Sequence, residues 1–472
     1  MLFTDPIFLF LFLPIALCFY YLAPKNLKNL VLLIFSLAFY TWGEKNLVLL
    51  LLISASVDYS AGLLIKNGYK KTGLYTSLFF NLGILLYFKY AYFITYNASL
   101  LLNSTFNISF STNEVILPIG ISFFTFQTMS YTLDVYQGKI KANNNFIDFA
   151  CYITMFPQLI AGPIVRYTDI KDNLKNKHLG SHQFYKGCKR FIIGLSKKML
   201  IANNCAFFAD AAFNLPNEEL SILVAWLGLI CYALQIYFDF SGYSDMAIGL
   251  GLMFGFTFPE NFNYPYISKS IKSFWRRWHM TLSRWFKDYL YIPLGGNRKT
   301  KTRTYINLLI VFTLTGLWHG ANWTFLIWGL WHGLFLIIER LGFNNILKQT
   351  HSAIAHCYTL LVILLGWVFF RSETLEQATS FLVKLFSFNS KTNYDYFNFY
   401  FTTEVVLALI IGLILSTSID KKIVCFFNKQ TKSSVIYQSY VITKSLALLA
   451  LLWLCYYYIA TNAYNPFIYF KF

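Results

Sequence analysis

Leu47-Val-Leu-Leu-Leu-Leu-Ile-Ser-Ala-Ser-Val-Asp-Tyr-Ser-Ala-Gly-Leu-Leu-Ile65 is a 19-residue, mostly apolar run fenced by Glu44-Lys45 and Lys66. As a helix it would rise about 28 Å, close to the ~30 Å hydrocarbon thickness of a bilayer. Similar runs recur from Phe8 to Ala460 with no long polar linker between them. The 472 residues are 57% hydrophobic, 20% aromatic and only 13% charged, against about 25% charged in soluble domains. A soluble globular protein is excluded, and one all-α polytopic membrane domain over residues 1–472 is expected. Met1 to Tyr21 lacks a basic leading region and carries Asp5, so it reads as a retained first span.

The 39 Lys and Arg against 21 Asp and Glu leave +18. In a membrane protein such an excess collects in cytoplasmic loops and does not report nucleic-acid binding. Lys25 and Lys28, then Lys66, Lys70 and Lys71, mark two such loops, placing the N-terminus and the uncharged 97–113 loop outside. Phe146 to Val165 is apolar but has basic residues on both flanks and breaks at Pro157 and Gly162-Pro163. It reads as a re-entrant hairpin, acceptable only where other helices cover its backbone. Leu220 to Phe258 holds enough apolar residues for two spans, interrupted by Asp239-Phe-Ser-Gly-Tyr-Ser-Asp245. Segments Arg166–Lys198 and Lys269–Arg303 together carry 19 of the 39 basic residues and are placed on one face. The expected total is 10 to 12 spans. The eight cysteines are scattered without a C-x-x-C pair, so they read as small core residues and no metal site is expected.

Three of the seven histidines, His279, His319 and His332, sit in apolar surroundings beside Trp, where histidine is rare unless it serves a cavity or a substrate path. His319 and His332 are 13 residues apart, which on one helix means faces more than about 100° apart and no shared substrate atom. A buried neutral imidazole at the Gly320 break suits a general base toward a hydroxyl. Asn322 would orient it or hold a carbonyl, or else cap the next helix. Around His279, Ile271, Phe274, Trp275, Trp278, Leu282, Trp285, Phe286, Tyr289 and Leu290 recur at spacings of three and four, predicting one amphipathic helix over 271–290. Its Arg276, Arg277 and Arg284 suit phosphate groups, of lipids or of a phosphorylated donor. Asp239 and Asp245 lie about 120° apart round a helix, which favours supporting bonds or a helix break over a paired acid/base site. Asp134 poses the same question with less context. No phosphate-binding loop, nucleotide-binding glycine pattern or G-x-S-x-G elbow occurs around these sites, so ATP hydrolysis is unsupported.

Leu117-Pro-Ile-Gly-Ile-Ser-Phe-Phe-Thr-Phe-Gln127, Phe156-Pro-Gln-Leu-Ile-Ala-Gly-Pro163, Phe238-Asp-Phe-Ser-Gly-Tyr-Ser-Asp245, Phe274-Trp-Arg-Arg-Trp-His-Met280 and Leu317-Trp-His-Gly-Ala-Asn322, with the opening Met1 to Pro14, resemble the membrane-bound O-acyltransferase family. The likeness is strongest to its bacterial polysaccharide branch, which O-acetylates alginate or peptidoglycan, and its motif-bearing core covers about residues 115–340. The resemblance implies a ring of tilted helices with re-entrant segments around a central tunnel. It implies His319 as catalytic histidine, His279 as a second functional histidine, and Trp318 and His332 as further motif residues. It also implies a cytoplasmic donor, acetyl-CoA, with no permanently bound cofactor. The remaining partners would be membrane lipids, an extracytoplasmic acetyltransferase or esterase-like protein and an exported glycan, at the bacterial inner membrane. D-alanyl transfer to teichoic acid, or glycan or lipid transport without acyl transfer, are the competing expectations.

Overall fold

A computed structural model describes residues 1–388, 392, 394–428, 435–461 and 464–466, and among these every regular element is helical. Among the described residues, six helical segments are long and apolar enough to cross a membrane: Lys28–Lys66, Lys70–Phe106, Ile222–Met253, Trp323–Gln349, Ser352–Arg371 and Tyr437–Ala460. A seventh forms if Tyr394–Tyr400 and Thr403–Leu415, bent by 68°, count as one span. The chain is a polytopic helical membrane protein. The number is below the 10 to 12 expected from apolar runs because some runs share a segment and others are short or broken. Lys28–Lys66 joins two of the runs around Lys45, whose φ is 48°. At 39 and 37 residues, the first two segments are each roughly twice the length one crossing needs. Phe8–Leu22 is shorter than 18 residues.

The chain forms two compact units: Met1–Gly187 with Ala247–Pro259, and Cys188–Met246 with Glu260–Phe472. In the first, the Val48–Lys66 helix packs on Lys70–Leu85 and Ile121–Tyr136. A Cβ on Gly73 would lie 2.5 Å from the Ala61 carbonyl, so only glycine permits this approach. At the centre of the three helices Asp58 is fully buried and accepts from the Ser77 hydroxyl, from Asn81 Nδ2 at 2.7 Å and from Thr132 Oγ1 at 2.7 Å. The expected hairpin is a nine-residue helix, Phe146–Thr154, capped by Asn145, then a break at Met155 and a short turn Phe156–Leu159. Nine residues rise only about 13 Å, too little to cross. Residues 149–165 are all buried, and their backbone is covered: Phe156 N–H donates to Ser36 Oγ (3.1 Å) and Tyr152 Oη to the Val165 carbonyl (3.0 Å). Asp134 pairs with Lys139 at 3.3 Å.

In the second unit, the expected interruption at Asp239–Asp245 is absent. Ile222–Met253 is one continuous helix of 32 residues, of which 222–246 belong to this unit and 247–253 to the first. No break is needed because each carboxylate meets basic residues of 190–198. Asp239 pairs with Lys198 at 2.8 Å, and Asp245 with Arg190 at 2.6 Å and Lys197 at 2.7 Å. Lys301–His319 and Trp323–Ile338 form a tight helical hairpin. Added Cβ atoms on Gly316 and Gly329 would each meet a facing carbonyl at 2.3 Å. This close crossing fixes His319 at the end of the first helix against Trp328 of the second.

Candidate active site

The amphipathic helix expected across 271–290 is broken in two, Ile271–Trp275 and Met280–Phe286. The cause is pairing with an upstream loop: Asn263 N–H donates to the Arg277 carbonyl (2.9 Å) and Met280 N–H to the Asn261 carbonyl (2.9 Å). Between those bonds His279 takes a left-handed conformation, φ 41° and ψ 54°, which for a residue with a Cβ costs on the order of 1–3 kcal/mol. Ser270 Oγ caps the first piece. The buried Glu339 carboxylate also accepts from its leading amides, Ile271 N–H at 2.5 Å and Lys272 N–H at 3.0 Å.

The bend buries the His279 ring, 1% exposed, edge-on to Phe240 at 4.6 Å and 87° between ring planes. Its Nδ1 is 3.1 Å from Asn261 Oδ1, while Nε2 meets no hydrogen-bonding atom of the protein. Burial pushes its pKa down to about 3, so the ring is neutral at physiological pH. His319 ends its helix just before the extended Gly320 and is boxed by Trp318, Trp328 and Phe370, with ring centroids at 5.0, 5.1 and 5.0 Å. Trp318 also lies 6.0 Å from His279. His332 touches Trp328 at 5.2 Å and Trp275 at 5.1 Å, with both nitrogens free of hydrogen bonds. The three imidazoles therefore belong to one aromatic layer, in the order His279, Trp318, His319, Trp328, His332, Trp275. His319 and His332 are on different helices, and the indole of Trp328 contacts both rings.

Trp275 forms part of the wall of a cavity of about 570 Å³. Lys272, Arg276, Lys287 and Arg340 line it along with Glu339, and its apolar floor includes Phe286 and Phe312. Of the three arginines proposed from sequence, only Arg276 reaches it. Arg277 donates to the Asn263 carbonyl at 3.0 Å, and Arg284 is exposed elsewhere. Asn322 acts as a helix cap: its Oδ1 accepts from Thr324 N–H (3.2 Å) and its Nδ2 donates to the Glu373 carbonyl (2.8 Å). Asp239 and Asp245 are held in ion pairs, and Arg190 bridges Asp245 to Glu260 at 2.6 Å, bracing the loop that carries Asn261. The sequence reading missed Asn261, Glu339 and the grouping of Lys272 with Lys287 and Arg340. Asn261 had one visible signal: it stands in a polar stretch, Pro259-Glu-Asn-Phe-Asn263, inserted between an apolar run and the His279 motif.

Residues 64–351 match the membrane-bound O-acyltransferase family. The chain is 43% identical over 420 residues to the probable alginate O-acetylase of Azotobacter vinelandii, covering 88% of this chain and 84% of that one. It is 39% identical over 429 residues to the peptidoglycan O-acetyltransferase of Helicobacter pylori, covering 82% and 80%. The teichoic acid D-alanyltransferase of Bacillus subtilis is 34% identical over 220 residues, 44% of this chain and 55% of that one.

Proposed function

The chain belongs to the membrane-bound O-acyltransferase family and is an O-acyltransferase, and on that premise we propose that it passes an acetyl group from a cytoplasmic donor to the hydroxyls of an exported cell-surface polysaccharide. A thioester needs only a base and a polarising donor to yield its acyl group to a hydroxyl. In this reading His319 is the base, His279 is the second histidine of the transfer site, and Trp318 and Trp328 shape the space between the imidazoles. Carrying only the acetyl group past the aromatic layer avoids moving a polyanionic donor through hydrocarbon.

The observation that carries this reading is the pairing of the buried histidine layer with the basic cavity behind Trp275. Lys272, Arg276, Lys287 and Arg340 suit the phosphates of acetyl-CoA, with the acyl arm directed at the apolar floor. The basic blocks then face the cytoplasm of a bacterial inner membrane and the N-terminus lies outside. The acetyl group is handed to an extracytoplasmic transferase or esterase-like partner acting on the glycan. The family match runs through both compact units, which supports treating residues 1–472 as one membrane acyltransferase domain. Alginate and peptidoglycan are favoured over teichoic acid because the two O-acetylating relatives match over four-fifths of the chain or more, and the D-alanyltransferase over less than half. The test is His319→Ala in cells, read as O-acetyl content of the isolated glycan. Loss of acetylation at normal protein level is expected, and unchanged acetylation would remove the mechanism.

A further inference from the structure

We infer that Asn261 is a positioning residue that fixes the tautomer of His279, holding the proton on Nδ1 and leaving Nε2 as the unprotonated nitrogen of this second histidine of the transfer site. The inference rests on the reading of His279 as part of that site.

The assignment follows from which atoms can only donate. The side-chain atom of Asn261 that faces His279 Nδ1 at 3.1 Å also receives the Thr281 backbone N–H at 3.3 Å and sits 2.9 Å from Thr281 Oγ1. A backbone N–H cannot accept, so that atom is the amide oxygen and not the nitrogen. The other end of the amide, Nδ2, then faces Ser244 Oγ at 3.2 Å as a donor. An amide oxygen has no proton to give, so His279 Nδ1 must carry one. In a neutral imidazole the lone pair is then on Nε2, the nitrogen that meets no hydrogen-bonding atom of the protein.

Two further features keep this arrangement rigid. Asn261 is 1% exposed, and its carbonyl accepts from Met280 N–H, so the amide and the histidine are tied through the backbone as well. Glu260 beside it is held by Arg190, which also grips Asp245. Several charged groups on the surrounding elements are committed elsewhere. Asp239 pairs with Lys198, Asp245 and Glu260 pair with Arg190, Lys197 pairs with Asp245, and Arg277 donates to Asn263. His319 stands beyond Trp318. A neutral acceptor on Nδ1 fixes the tautomer without stabilising the imidazolium, which a carboxylate there would do.

The experiment compares His279→Gln, Asn261→Ala and Asn261→Asp in membrane vesicles of cells making the glycan, following transfer of label from acetyl-CoA to the glycan between pH 5 and 8. Asn261→Ala frees the tautomer, and kcat should fall about 10- to 100-fold, a part of the 10²–10⁴-fold typical of a positioned proton-transfer group, with KM within about 2-fold. Asn261→Asp is isosteric and still accepts from Nδ1, but its charge raises the His279 pKa. It should fold normally and create an acid limb, activity falling as pH drops through the new pKa, that the unmodified protein lacks. Should Asn261→Ala fail to fold, Asn261→Asp decides alone. An inactive His279→Gln together with an Asn261→Asp profile identical to that of the unmodified protein overturns the tautomer assignment and leaves the proposed function standing. A fully active His279→Gln removes His279 from the transfer site and the inference with it.

Discussion

Asp58 and His279 are both fully buried polar side chains in a largely apolar protein, yet their surroundings treat them in opposite ways. The Asp58 carboxylate is wrapped by two hydroxyls and an amide from two neighbouring helices. The His279 ring is held at Nδ1 alone, with Nε2 left without a protein partner, and His332 has neither nitrogen satisfied. An unpaired buried polar group costs about 1–3 kcal/mol. The first arrangement avoids that cost and ties three helices together. The second retains it where three histidines gather in one aromatic layer, as expected of atoms awaiting a reacting partner.

The largest effect should come from the open group. His279→Gln keeps size and polarity but removes the imidazole of the second histidine of the transfer site, so acetyl transfer should fall about 10²–10⁴-fold while the melting temperature in detergent shifts little. A large loss of melting temperature together with retained specific activity would reverse the comparison and make His279 the structural group.

Asp58→Ala should do the opposite. Three hydrogen bonds at about 0.6–1.5 kcal/mol each in a membrane protein make a cost of about 2–4 kcal/mol, seen as a lower melting temperature and less protein in the membrane. Activity per folded molecule should be unchanged. Asp58→Asn sharpens the point, because its oxygen can keep both hydroxyls while its NH₂ opposes that of Asn81. It should cost about 1 kcal/mol, the worth of a single bond.

How far sequence alone reaches differs between these two regions for a physical reason. His279, His319 and His332 are conspicuous because each is an ionisable ring flanked by tryptophans inside apolar runs. Asp58 lies in a run just as apolar, but its partners Ser77, Asn81 and Thr132 belong to other helices, and no local pattern announces which faces will meet. Asn261 is hidden likewise, since the 18-residue separation from His279 is closed by backbone pairing between two irregular segments. That pairing breaks the helix that periodicity predicts over 271–290. At Asp239–Asp245 the carboxylates left supporting bonds or a helix break open, and the first alternative holds while the interruption between two spans is absent. Their counter-charges come from 190–198, some 40 to 55 residues earlier, so the helix continues. The helical class, the broken buried hairpin at 146–165 and the burial of His279, His319 and His332 were legible; the partners supplied by tertiary contacts were not.

The pH dependence separates a buried neutral histidine from a titrating one. The folded ring has its pKa pushed down to about 3, whereas an unfolded imidazole titrates near 6.5. Between those values the unfolded chain binds the extra proton, so this contribution to stability is fully present above about pH 6.5 and is lost as pH falls. Moving from pH 7 to 5.5 should cost about 1 kcal/mol through His279. It should produce no acid limb from this group in the activity of protein that remains folded. His279→Gln should flatten that part of the melting-temperature profile, and an unchanged slope in the variant would show that the group is solvated in the folded state.

The cavity cations occupy a third situation, charge beside open solvent, where effects must be smallest. Lys287 is exposed and Arg340 donates to Asn297 Oδ1 at 3.2 Å, so any attraction for donor phosphates acts through a partly aqueous medium and is screened within about 10 Å at 0.1 M salt. Lys287→Gln or Arg340→Gln should each raise the KM for acetyl-CoA about 3- to 5-fold, under 1 kcal/mol apiece, with kcat unchanged. The difference from the unmodified protein should shrink as salt rises from 50 to 500 mM, on the scale set by the shortening screening length. A kcat loss at constant KM would instead place these side chains next to the reacting atoms and move the boundary between donor entrance and transfer site to the cavity side of Trp275.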